Sequence, residues 1–169
     1  AQAMEKTDWK KNYTGLDGIS AQCELTTSRS YAGEICKRIT ATAKADADAK
    51  GIKFFFAGKA SDTGSGAGRT AIQPGRPLLL HILIKGTSDK TPGASVSMKL
   101  YLDYTNAVQQ GDPSNHPRSG KLVFWRKDLI GTGPAKRLSA AMISVMSKEL
   151  RSVISDIAAS TQKGQNGKQ

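Results

Sequence analysis

Between positions 19 and 26 apolar and polar residues alternate without interruption, Ile19, Ala21, Cys23 and Leu25 against Ser20, Gln22, Glu24 and Thr26. A period of two marks a strand with one buried face, so 19–26 is predicted as the first strand. The period then lengthens. Ala32, Ile35, Cys36, Ile39 and Ala43 recur at helical spacing, Ser28 and Ser30 can cap the start, and Gly51 stands where a C-terminal cap belongs. A helix over about 30–50 follows, its alanine-rich last turns solvated.

Four further strands are predicted, at 52–57, 78–86, 95–104 and 121–127. The fourth strand alternates almost throughout, with Val96, Met98, Leu100, Leu102 and Tyr104 against Ser95, Ser97, Lys99, Tyr101 and Asp103. A Gly- and Ser-rich loop fills 58–77, a Pro92-Gly93 turn follows the third strand, and a second loop covers 111–117. The final helix is the clearest element. Pro134 suits its first turn, and Leu138, Met142, Val145, Met146, Leu150, Val153, Ile154 and Ile157 form one apolar stripe.

The order β-α-β-β-β-β-α, with one apolar stripe on each helix, predicts an α+β two-layer domain. A five-stranded, mainly antiparallel sheet would carry both helices on one face. Residues 1–18 read as an irregular lead with Trp9 and Tyr13 as anchors, 19–160 as the single domain, and 161–169 as a disordered polar tail. No internal repeat is found.

Two positions on these patterns change the picture. Cys23 falls on the apolar face of the first strand and Cys36 on the apolar face of the first helix, and the chain has no other cysteine. A Cys23–Cys36 disulfide is therefore expected, and with it an exported protein; two buried free thiols are the alternative. Ala1-Gln2-Ala3 resembles the small-residue pattern at a signal-peptide cleavage site, and without an apolar h-region the chain reads as a mature form. No run is long and apolar enough to predict a membrane-spanning helix. Asn12-Tyr13-Thr14 fits a glycosylation sequon, a pattern common by chance.

Charge adds a second constraint. With 25 basic and 14 acidic side chains the chain carries a net +11, which favours anionic partners without choosing among nucleic acid, acidic polysaccharide and lipid headgroups. If the helices cover one sheet face, Lys53, Phe55, His81, Lys85, Lys99, Tyr101, Trp125 and Lys127 are expected on the other. Aromatics among lysines can stack bases or sugars, bury against a second protein, or be covered by the 1–18 segment.

Catalytic patterns are thin. The glycine-rich stretch 64–70 lacks the lysine of a phosphate-binding loop and precedes a strand rather than a helix. Gly131, Thr132, Gly133, Lys136 and Arg137 form the better anion candidate, because they open the last helix. His81 and His116 have no recognisable nucleophile motif, and nothing pairs two of Asp103, Asp112 and Asp128 for glycoside chemistry. A lone cysteine pair with two histidines lacks metal-site spacing; neither metal nor cofactor is expected. The expectation is an exported, periplasmic or secreted, non-enzymatic accessory domain of the kind common in bacterial envelopes. It would bind another protein or itself as a dimer, and its basic surface would dock on envelope polyanions. A single-stranded nucleic-acid or polysaccharide binder, and a hydrolase, are the alternatives.

Overall fold

The alternation at the start of the chain forms a strand, β1 (Ile19–Leu25), and the helical spacing after it forms α1 (Ser30–Asp48). A computed structural model describes residues 18–61, 77–87, 93–107 and 118–165. The remaining elements are β2 (Phe54–Ser61), β3 (Leu78–Gly86), β4 (Gly93–Ala107), β5 (Arg118–Thr132) and α2 (Ala135–Gln165). The architecture is α+β, a five-stranded sheet with two helices in the predicted order. The glycine-rich stretch 64–70, His116, Asp112, Trp9 and Tyr13 lie outside the described residues.

The strands lie in the order β2-β1-β3-β4-β5. β1 pairs in parallel with both β2 and β3, whereas β3-β4-β5 is an antiparallel meander. The sheet is thus mixed, and β2 and β3 are not the neighbours that a four-strand meander would make them. The reason is α1. A helical crossover returns the chain parallel to the strand it left, so β2 settles beside β1 and leaves the other edge of β1 for β3.

Local chemistry sets the ends of α1. Its N-cap is Arg29 rather than a serine, and no side chain caps it; the Arg29 N–H instead donates to Thr27 Oγ1 at 3.3 Å. The C-terminal end follows the glycine signal. Gly51 has φ +71°, its N–H donates to Asp48 O at 3.1 Å, and the Ile52 N–H reaches Ala47 O at 2.9 Å. That bond pair is a Schellman turn, in which a left-handed residue satisfies the last carbonyls of the helix. α2 continues past the end of its apolar stripe to Gln165, so the polar tail begins later than the hydropathy pattern implies.

The core lies between the sheet and the helices. Ile19, Ala21 and Cys23 of β1, Leu78, Leu80, Ile82 and Ile84 of β3, and Val96, Met98 and Leu100 of β4 point into it. They meet Ile35, Cys36 and Ile39 of α1 and Met142, Met146, Leu150 and Ile154 of α2. Cys23 and Cys36 are disulfide-bonded with Cα atoms 6.2 Å apart, and both are wholly buried. The bridge fastens the first strand to the first helix. Across the outer surface of the helix layer, Arg151 of α2 donates to Asp46 of α1 at 3.1 and 3.2 Å.

Candidate functional site, the open face of the sheet

Because side chains alternate across a strand, the residues between the core positions line the sheet face away from the helices. The register arranges them in rows. Phe55, Ser20, Leu79, Tyr101 and Val123 form one row across β2, β1, β3, β4 and β5. Gln22, His81, Lys99 and Arg126 form the next. Glu24, Leu83, Ser97 and Asp128 form a third, and Lys85, Ser95 and Ile130 a fourth. An apolar and aromatic row therefore adjoins a basic one. Among the described elements there is no further layer over this face.

Most of the residues expected here are brought together. Phe55, His81, Lys85, Lys99 and Tyr101 share the face, and Lys53 stands exposed just before β2. Trp125 and Lys127 do not. Trp125 lies opposite Leu100, and Lys127 opposite Met98, so both belong to the side that the helices cover. Trp125 packs against the core, and Lys127 pairs with Glu149 of α2 at 3.4 Å. The cause is a bulge. Tyr101 faces Val123 but Leu100 faces Trp125, which leaves Phe124 as an extra residue in β5. An extra residue reverses the facing of everything beyond it, so Arg126 and Asp128 take the open-face places that Trp125 and Lys127 were expected to hold.

The open face is internally paired. His81 Nε2 lies 2.8 Å from Glu24 Oε2, both side chains partly buried. Arg126 forks onto Asp128 through Nε at 2.7 Å and Nη2 at 3.3 Å. The Lys121 ammonium sits 4.7 Å from the centre of the Tyr101 ring, within cation–π range. Ser97, opposite in the register, and the Arg126 guanidinium hold the Asp128 carboxyl below the usual aspartate range, helped by Lys99. Of the first two only Arg126 is at bonding distance, since Ser97 Oγ makes no hydrogen bond; the fork is the firmer cause. Arg126 was missed in the sequence because its facing depends on the bulge, whereas Lys121 was left out although alternation alone puts it on this face.

The anion candidate is divided by the fold. Gly131 and Thr132 are the last residues of β5, whereas Lys136 and Arg137 lie in the first turn of α2. Gly131, Thr132, Gly133 and Arg137 do border one concavity, of about 360 Å³, together with Leu129, Ile130, Leu138, Ala141, Met142 and Val145. Among the described residues no three His, Cys, Asp or Glu side chains gather as a metal site. No described helix is long and apolar enough to cross a membrane.

No protein-family model and no curated protein matches the chain. Solved structures do. The dodecamer of a PelC variant from Paraburkholderia phytofirmans is 19% identical and covers 85% of this chain and 89% of its own, with a TM-score of 0.42. A minor lipoprotein from Acinetobacter baumannii is 10% identical over 83% and 92%, with a TM-score of 0.33. A hypothetical protein from Chlamydia trachomatis is 10% identical over 82% and 98%, with a TM-score of 0.40. Overlaps of this size define neither activity nor assembly for the present chain.

Proposed function

We propose that the chain is an exported, periplasmic or secreted, non-enzymatic binding domain that acts through protein contacts made by its open sheet face. The observation that supports this reading is the pairing of rows on that face. Phe55, Leu79, Tyr101 and Val123 offer contact area directly beside His81, Lys99 and Arg126, the mixture of apolar centre and charged surround that protein interfaces use. Export is inferred from the disulfide, which persists in oxidising compartments. The net charge of +11 adds a second use, docking on anionic envelope polymers.

Stacking on bases or sugars is less favoured. Trp125 faces the helices, and the ring of Tyr101 already carries the Lys121 ammonium. The two readings separate by site-directed photocrosslinking in the oxidising compartment of a producing cell. A photoreactive residue at Leu83 should capture one protein, and the same residue at Lys37, on the exposed side of α1, should not. Capture from both positions or from neither would overturn the reading. Retention on a sulfated polysaccharide matrix should weaken as salt rises and weaken further in Lys85→Glu/Lys99→Glu, but not in Lys37→Glu.

A further inference from the structure

Where β5 ends and α2 begins, the chain leaves an apolar groove at the free edge of the sheet. β5 is the last strand in the order and pairs only with β4 among the described strands, so alternate residues direct N–H and C=O groups away from the sheet. The concavity of about 360 Å³ wraps this edge from Ile130, 80% exposed, to Val145 of α2, 39% exposed. Its floor is shaped by a glycine. A Cβ at Gly131 would come within 2.9 Å of Leu138 Cδ1 and 3.3 Å of Met142 Cε, so a side chain there would have to displace the ends of both.

The electrostatics of the groove are one-sided. No acidic side chain lines it. One end is the N-terminus of α2, whose first turn contains Lys136 and Arg137 and no acid; free N–H groups and the helix dipole add to that positive potential. A second copy of this chain fits badly. The β5 segment keeps an excess of cations, Lys121, Arg126 and Lys127 against Asp128 of the strand and Glu149 of α2, and pairing two such edges would set like charges together.

We infer that this groove accepts an extended, acidic segment of another protein, which adds as a strand to the edge of β5. One apolar side chain of the segment fills the space between Leu129, Ala141 and Val145, and an Asp or Glu beside it meets Arg137 at the start of α2. Strand addition supplies main-chain bonds and the groove selects the side chain. Apart from Ile130, which borders both, the groove lies on other residues than the open face.

The test uses the disulfide-intact chain and a displayed library of random dodecapeptides, followed by fluorescence polarisation with the most enriched peptide. Enriched sequences should place Asp or Glu one or two positions from a Leu, Ile, Val or Phe. Affinity should fall about tenfold or more in Val145→Asp, as for loss of a central anchor, and about threefold to tenfold in Arg137→Glu. It should not change in Lys99→Glu, on the open face. Both altered positions are exposed, and an unchanged melting temperature confirms that each variant is folded. Failure to enrich any peptide, or enrichment of peptides indifferent to Val145→Asp, would overturn the inference. So would a wild-type dimer in sedimentation that Val145→Asp converts to a monomer, since the occupant would then be a second copy.

Discussion

The two faces of the sheet are built from the same strands and differ only in parity, yet they have different physical tasks. On the helix side, Leu80, Ile82, Ile84, Val96, Met98 and Leu100 are almost wholly removed from water and touch two helices. On the open side, Leu79, His81, Leu83, Ser97, Lys99 and Tyr101 keep part of their surface in water, and His81 and Tyr101 keep charged partners. Apolar area removed from water is what stabilises the fold. The open face contributes less to it. Stability and, on the proposed reading, recognition are thus separated by a single residue step along each strand.

The largest test of that contrast is a matched pair in β3. Ile82→Ala should cost about 2–5 kcal/mol, because a rigid two-layer core leaves a cavity. Leu83→Ala, one position along, should cost about 1 kcal/mol, the fraction expected for a half-buried leucine. Urea midpoints of the two variants measure the difference, and equal losses would show that the open face is also packed.

The disulfide ranks next. Cys23→Ala/Cys36→Ala should lower stability by about 3 kcal/mol, the loop-closure value for so short a separation, with most of the fold retained. Alkylation with mass spectrometry should leave both thiols of the wild-type chain unlabelled, even when unfolded, until a reductant is added.

Smaller effects sharpen the open face. Glu24→Gln removes the charged partner of His81 from a partly exposed site and should cost under about 1 kcal/mol, whereas a larger loss would mark that pair as buried by something above it. Asp128 gives a pH test. Its carboxyl titrates lower in the folded chain than in the unfolded one, so the unfolded state binds the proton first as pH falls. The stabilisation is complete above the ordinary aspartate range and is lost as pH drops through the depressed native value. The stability gap between wild type and Asp128→Asn should therefore close on acidification, read as converging urea midpoints. A gap that stays constant into strong acid would show that the fork to Arg126 does not hold in solution.

Much of the architecture was legible in local pattern because each element signals its buried face by its period. The alternation of β1, the stripes of α1 and α2 and the glycine after α1 each mark an element directly. The disulfide was legible for the same reason, since two cysteines with known facings and no competitor leave one pairing. The candidate face was legible only in part. Phe55, His81, Lys85, Lys99 and Tyr101 follow from alternation alone, whereas Trp125, Lys127 and Arg126 depend on the extra residue at Phe124.

The sequence by itself determined which segments become strands and helices, which side of each is apolar, and that the chain is basic with one candidate cross-link. Only the tertiary structure decided that β1 lies between β2 and β3, that β5 changes face at a bulge, and that its last residues share a groove with α2. The reason is range. Period and capping are written into neighbours a few positions apart, whereas strand order, bulge register and edge grooves arise from pairings between residues distant in the chain, to which no local pattern refers.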